Sequence, residues 1–344
     1  MPNALQDKPQ LTVLAIESSC DETACAIVRD GVVLGESIST QIPIHRLYGG
    51  VVPEIASRNH AVNINEVVRT ALAESGVTMA DVDAIAVTYG AGLIGALLVG
   101  VSYAKGLAYA HNKPLMAVNH IRGHIAANYL AHPDLEPPYV ALIVSGGHTA
   151  VAEVTDYTHL TIYGSTADDA VGEAFDKVAR VLGLPYPGGP EIEKLARQGK
   201  ACIPMPHAKM AAKYDFSYSG LKTAVINYVH TKEQKSEPYE RADVAASFQD
   251  AAVSILAEHA VDLAQERGIR TIAVAGGVGA NGRLREVLNN YAYPKGIATL
   301  FPPKRFCTDN ASMIGMEALV QIRAGADFAP MTLDAVATIP LRSN

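Results

Sequence analysis

One pattern occurs twice along the chain, and that repeat restricts the fold more than any single motif. The first copy opens with an apolar strand-like run at residues 11–16, followed by a polar segment, Glu17-Ser18-Ser19-Cys20-Asp21-Glu22-Thr23. A second apolar run at 24–28, an Asp30-Gly31 turn and a third run at 32–37 complete a predicted β-meander. The second copy has an apolar run at 139–144, then Ser145-Gly146-Gly147-His148-Thr149, a run at 150–154, an Asp156-Tyr157 turn and a run at 159–163. Each copy then becomes helical, with apolar residues at helical spacing over 63–74 and 251–267. Each next offers a buried strand ending in glycine: 84–87 before Gly90-Ala91-Gly92, and 271–275 before Gly276-Gly277.

Duplicated β-β-β-α-β-α lobes with a nucleotide cleft between them are the plan of the actin, Hsp70 and sugar-kinase superfold. The predicted class is therefore α/β, with two RNase H-like lobes. The expected boundaries are 1–130, joined by a C-terminal helix at 325–344, and 131–324. In that plan the hairpin turns of both lobes face one nucleotide, with backbone N–H groups and hydroxyls around its phosphates. The plainer reading of the two polar segments is a pair of ordinary solvent turns.

Bulk properties agree with a folded, two-lobed chain. It has 344 residues, 49 % hydrophobic and 18 % charged, which suits two cores and excludes disorder. Residues 1–10 are polar and lack an apolar core of signal-peptide length. The longest apolar stretch, 91–107, is interrupted by Gly92, Gly95, Gly100 and Lys105, so no membrane span is expected. Cys20, Cys25, Cys202 and Cys307 form neither a disulfide framework nor a close metal quartet, which fits the reducing cytoplasm. The net charge of −7 argues against a dedicated nucleic-acid binder but leaves room for a local basic patch.

Two motifs invite misreading. Gly90-Ala91-Gly92-Leu93-Ile94-Gly95 matches a dinucleotide fingerprint, but the strand predicted at 114–118 is followed by Asn119 and His120 where a ribose-binding carboxylate is required. A close-packed strand-to-helix turn is expected instead. His120-Ile121-Arg122-Gly123-His124 places two imidazoles at i and i+4, on one helical face, where they can grip one metal. A zinc protease carries Glu after its first His, whereas Ile121 stands here, so no peptidase is expected. The third ligand is open at this point. Asp309 is the best candidate, but it precedes an apolar helix predicted at 311–320, and an N-cap is the stronger reading from sequence alone.

Taken together, these residues resemble the TsaD family of tRNA N6-adenosine threonylcarbamoyltransferases, in the bacterial form. The resemblance runs from about Val13 to Leu319. It is carried most specifically by Lys105-Gly106, Pro114 and the His120–His124 segment. The two polar hairpins, Asp168–Lys177, Pro187-Gly188-Gly189-Pro190, Phe216–Thr223, Gly276–Asn281 and Cys307–Ala311 complete it. The resemblance implies a metal held by His120, His124 and Asp309, Fe2+ or alternatively Zn2+. It also implies nucleotide and substrate contacts at Ile143, Val144, Ser145, Gly146, Gly147, Asp176, Gly189 and Asn281. The donor would be threonylcarbamoyl-AMP and the acceptor N6 of adenosine 37 in tRNAs reading ANN codons, with a TsaB-like paralogue and a TsaE-like ATPase as partners.

The chemistry is consistent with that implication. The donor is a mixed anhydride and the attacking amine a poor nucleophile, so the site must polarise a carbonyl and hold charge leaving on AMP. Asp21 is the candidate to take a proton from N6; the competing reading is an Asx-turn residue satisfying its own hairpin. A phosphotransferase of the superfold and a non-enzymatic paralogue are the alternatives, and neither needs the His pair. For tRNA, Arg46, Arg58, Lys209, Lys213, Lys222, Lys304 and Arg305 are the candidate contacts, each of which can equally be a solvated charge.

Overall fold

The computed structural model describes residues 5–207, 210 and 212–340. They divide into two compact units: residues up to 136 with 156–159 and 305 onward, and residues 137–155 with 160–304.

In the first unit, β1 (Thr12–Glu17), β2 (Glu22–Arg29) and β3 (Val32–Thr40) form the predicted meander. They are followed by α1 (Ile42–Arg46), α2 (Pro53–Ser75), β4 (Ala84–Gly90), α3 (Ile94–His111), β5 (Leu115–Asn119) and α4 (His120–Ala131). The sheet runs β3-β2-β1-β4-β5, with β1 antiparallel to β2 and parallel to β4. α2 begins ten residues earlier than helical spacing suggested, because Pro53 sits in its first turn, where a missing N–H costs nothing.

In the second unit the strands are β6 (Tyr139–Val144), β7 (Thr149–Val154), β8 (Leu160–Ser165), β9 (Thr271–Ala275) and β10 (Ala298–Leu300). The helices are α5 (Val171–Val181), α6 (Gly188–Ala196), α7 (Ser219–Gln234), α8 (Arg241–Arg267) and α9 (Gly282–Ala292). Read from the meander edge, this sheet runs β8-β7-β6-β9-β10, which is the order of the first unit again. The first hairpins also correspond, with Glu17 paired to Ala24 and Val144 paired to Thr149 at their ends. The chain therefore has the duplicated actin-like plan that its repeat predicts.

Strand alternation explains why β1 is apolar throughout. Val13 and Ala15 point into one core with Met313, Ile314 and Ala318, while Leu14 and Ile16 point into another with Ile64, Val68 and Leu97. The first of these cores corrects the expected boundaries. After α10 (Lys304–Cys307), helix α11 (Ala311–Arg323) lays its apolar face on β1 and β2, so residues from 305 belong to the first unit and not to a lobe ending at 324. The helix expected at 325–344 also does not form over 324–340. Gly325 leaves α11 at φ +80°, and Pro330 cannot continue a helix. This segment instead runs extended, with Ala329 bridging to Leu115. Residues 341–344 lie outside the described residues. Among the described residues no helix is long and apolar enough to cross a membrane.

The G-x-G-x-x-G segment is a packing turn. A Cβ on Gly92 would lie 2.6 Å from the Ser19 carbonyl, and Gly95 and Gly100 let α3 approach the hydroxyls of Ser57 and Ser18. Gly315 does the same for α11, since a Cβ there would lie 2.6 Å from Val28 Cγ2. Gly315→Val should therefore force α11 off the sheet and cost about 1–3 kcal/mol, read as a lower urea midpoint. An unchanged midpoint would show that α11 can shift without loss.

Candidate metal centre

β5 ends at Asn119, whose side chain accepts hydrogen bonds from the N–H groups of Ile121 (2.8 Å) and Arg122 (3.4 Å) and so caps α4. His120 is then the first helical residue, and His124 lies one turn on, with the two rings edge to face at 4.6 Å. Across from them, the cap of α11 is Asn310, whose Oδ1 accepts from Met313 N at 2.9 Å. The cap reading of Asp309 is thereby corrected: its neighbour takes that role and leaves the Asp309 carboxylate to face the imidazoles. Asp309 Oδ1 stands 3.2 Å from His124 Nε2 and 3.5 Å from His120 Nε2.

One ligand atom from each of the three residues lies within 4.8 Å of the others, so this cluster could hold a metal ion. Donors bound about 2.1 Å from a shared ion are about 3–3.5 Å apart, close to the 3.2 and 3.5 Å that separate Asp309 Oδ1 from the two imidazoles. His124 supplies an independent test of fit. It is fully buried, yet its Nε2 makes no hydrogen bond although it faces Asp309. An orphaned buried nitrogen costs about 1–3 kcal/mol, and an ion at this point would satisfy it.

A fourth residue completes the centre, and the sequence reading gave it no role. Glu17, fully buried at the end of β1, places Oε2 3.2 Å from His120 Nδ1. The same Oε2 accepts from Thr88 Oγ1 at 2.6 Å, and Oε1 accepts from Ser19 N at 2.5 Å. The Ser19 hydroxyl also lies 3.2 Å from His120 Nδ1. A carboxylate behind a ligating imidazole fixes its tautomer and orientation and leaves the far nitrogen to the metal. The one sequence signal was a carboxylate closing an otherwise apolar strand. Arg122 braces the other side: it donates to Glu317 of α11 at 2.6 Å and to the carbonyls of Thr158 and Tyr157.

Burial would make the His120 imidazolium unfavourable, but the Asp309 and Glu17 carboxylates more than offset that and push its pKa up to about 9. Burial raises Glu17, but the charge and hydrogen bond of His120 together with the Ser19 hydrogen bond outweigh it, so its net shift is downward. His124 is driven down by burial and by neighbouring His120, and stays neutral.

Asp21 sits in the turn after β1, 6 % exposed, with its carbonyl accepting from Gln41 N at 2.9 Å. Its carboxyl hydrogen-bonds Glu22 and Cys20. Burial, then the charge and hydrogen bond of Asp21, lift Glu22 to about 10, so Glu22 keeps its proton at neutral pH.

In the second unit, the loop between β6 and β7 is closed by Ser145 N donating to the His148 carbonyl (2.8 Å) and His148 N donating to Ser145 Oγ (3.1 Å). Ile143 and Val144 are buried strand residues, while Gly146 and Gly147 are exposed, with open space where a side chain would stand. Two further glycines press against this loop. A Cβ on Gly172, in the first turn of α5, would lie 2.6 Å from the Ser145 carbonyl, and one on Gly276 (φ +99°) 2.5 Å from that of Val144. Asp176 accepts from Gly188 N at 2.6 Å, tying α5 to the start of α6, where Gly189 is open. Asn281 caps α9 and donates to Gln249 Oε1 at 3.0 Å.

Of the basic candidates, Lys213 pairs with Glu266 and Lys222 with Asp169. Lys209 lies outside the described residues. Arg46, Arg58, Lys304 and Arg305 are exposed, and the Arg305 guanidinium lies 4.5 Å from the centre of the Phe306 ring.

The raised pKa of His120 has a measurable consequence. Its folded value exceeds the ordinary 6.5, so in metal-free protein the proton stabilises the fold fully below pH 6.5, and that contribution is lost as pH rises through about 9. A metal at Nε2 must displace this proton. Between pH 7 and 8, binding of Zn2+ should release close to one proton, and affinity should rise with pH until about 9. Calorimetry in buffers of different ionisation heat reads both; zero release at pH 7 would show that His120 carries no such proton.

Comparison with known proteins places the chain in a family. The family model described as TsaD, tRNA N6-adenosine threonylcarbamoyltransferase, matches residues 32–316. A tRNA N6-adenosine threonylcarbamoyltransferase from Moorella thermoacetica is 56 % identical over 335 residues, covering 96 % of this chain and 98 % of that protein. One from Clostridium perfringens is 55 % identical over 326 residues, covering 94 % and 96 %. Among solved structures, full-length HypF in its phosphate- and nucleotide-bound form aligns with a TM-score of 0.62 at 14 % identity, over 91 % of this chain and 46 % of that one. Component A of (R)-2-hydroxyglutaryl-CoA dehydratase from Acidaminococcus fermentans aligns with a TM-score of 0.52 at 15 % identity, over 91 % and 99 %. The structural likenesses speak for the fold alone, but the sequence matches span nearly the whole chain, which belongs to the tRNA N6-adenosine threonylcarbamoyltransferase family of transferases.

Proposed function

We propose that this transferase moves the threonylcarbamoyl group of threonylcarbamoyl-AMP to N6 of adenosine 37 in tRNAs that read ANN codons, releasing AMP, and that it does so in the cytoplasm. The observation that carries the reading is the His120–His124–Asp309 cluster with the Glu17 carboxylate behind it, in a chain of this family. Two imidazoles and one carboxylate with open positions suit Fe2+, with Zn2+ the alternative. A bound divalent ion supplies Lewis-acid polarisation of the acyl carbonyl.

The chain's own residues have distinct tasks. Glu17 holds His120 in the tautomer that presents Nε2. Asp21 takes the proton that N6 loses as its bond to the carbonyl carbon forms and the bond from that carbon to the phosphate oxygen breaks. Glu22 beside Asp21, lifted to about 10, keeps its own proton at neutral pH. Ser145 closes the loop after Ile143 and Val144, and Gly146 and Gly147 at its tip offer an unobstructed backbone for phosphate oxygens. Asp176, Gly189 and Asn281 contribute to holding the nucleoside.

A chain at −7 has few cations for tRNA. Productive binding therefore needs partners, a TsaB-like paralogue and a TsaE-like ATPase.

His124→Ala should lose metal and activity together while the fold survives. The assay combines protein, threonine, bicarbonate, ATP, partners and unmodified tRNA, with nucleoside analysis and metal content as readouts. Full metal retention in both His120→Ala and His124→Ala would end the assignment. Reversing Lys304 and Arg305 to Glu should weaken tRNA binding by several-fold and flatten its salt dependence without touching metal content. Unchanged binding would make them solvated charges.

A further inference from the structure

The segment after α11 does more than cover the sheet. Leu333 accepts from Lys105 Nζ at 3.0 Å through its carbonyl, and Ala335 is buried in the core beneath α2 and α3. Val336 N donates to the Tyr89 carbonyl at 2.8 Å, and the Ala337 carbonyl accepts from Gly92 N at 3.1 Å. Residues 336 and 337 thus hold the two sides of the glycine turn after β4. Gly90 has no side chain at the point of closest approach: a Cβ there would strike the Val336 carbonyl and lie 2.9 Å from Ile339 Cδ1.

The same turn touches the metal centre. Leu93 N donates to the Ser19 carbonyl at 2.8 Å, and Gly92 packs against Ser19 so closely that a Cβ would lie 2.7 Å from Ser19 Cβ. Ser19 in turn donates its N–H to Glu17 and places its hydroxyl 3.2 Å from His120 Nδ1. From the tail to Ser19 every step is a direct backbone contact, and the last step to the imidazole runs through the Ser19 hydroxyl and the fully buried Glu17 carboxylate.

We infer that residues 333–339 are a positioning segment for the metal centre, which hold the glycine turn against Ser19 and thereby fix the Glu17–His120 pair behind the ligands. Coupling of this kind is reciprocal. If the docked tail strengthens metal binding by some factor, metal binding strengthens docking of the tail by the same factor. Loss of partners behind a ligating histidine typically lowers metal affinity about 10- to 100-fold, and an indirect hold belongs at the lower end, about tenfold.

Hydrogen exchange on the full-length protein with and without Co2+ tests the reciprocal half. Amides of Val336 and Gly92 should exchange about tenfold more slowly with the ion bound; identical exchange would overturn the inference. Gly90→Ala, which displaces Val336, and a chain ending at Asp334 test the direct half. Either should bind Co2+ about tenfold more weakly, with an altered visible spectrum. A variant that loses stability to urea but keeps the parent affinity and spectrum would reduce the tail to a structural cover and refute the coupling. Should neither variant fold, the exchange measurement on the unaltered protein still decides. None of these readouts involves tRNA or the acyl donor, so the inference and the proposed function fail separately.

Discussion

A carboxylate with no access to water has to be satisfied from within, and in this molecule the burial of Glu17 organises its surroundings. An ionised carboxylate in an apolar interior costs several kcal/mol unless it is paired and hydrogen-bonded. Glu17 meets that demand with the Thr88 hydroxyl, the Ser19 N–H and His120. Those partners come from three places in the chain: β4, the first hairpin and the start of α4. Their convergence joins the ends of β1 and β4 to the start of α4 and holds the His120 ring with its Nε2 toward Asp309.

The opposing side of the centre depends on a division of labour between neighbours. Asn310 caps α11 and Asp309 does not, so the carboxylate is available to the imidazoles. The Arg122–Glu317 pair, with Glu317 almost fully buried, ties α4 to α11 and keeps the two halves of the ligand set in step. Removing Glu317 would leave a guanidinium short of its partner, and the register of the two helices with it.

Duplication gave both units the same sheet order, but their first hairpins diverged chemically. In the first unit the turn is rich in carboxylate, thiol and hydroxyl groups and leans on the His120–His124–Asp309 cluster. In the second it is Ser-Gly-Gly, where absent side chains leave backbone exposed and Gly172 and Gly276 crowd in from neighbouring elements. A common backbone plan thus carries a turn of side-chain donors and acceptors in one unit and a turn of open backbone in the other.

Periodicity and composition determined much of this. The repeated meanders, the buried strands, the glycine turn as a packing device and the i, i+4 histidine pair are local properties. Alternation, turn chemistry and helical spacing depend only on neighbours in sequence, and the resemblance of the motifs to one transferase family extended them to a function. Three things were decided only by the tertiary structure. Asp309 lies far along the chain from His124, and whether it or Asn310 caps α11 turns on a rotamer that no pattern encodes. Glu17 reads as the polar end of a strand until Thr88 and His120 are seen around it. The final segment reads as a helix by position, yet Gly325 and Pro330 break it and Tyr89 and Gly92 capture its backbone. Each is a long-range pairing of buried polar groups, and the energy that selects it exists only once the sheets have packed.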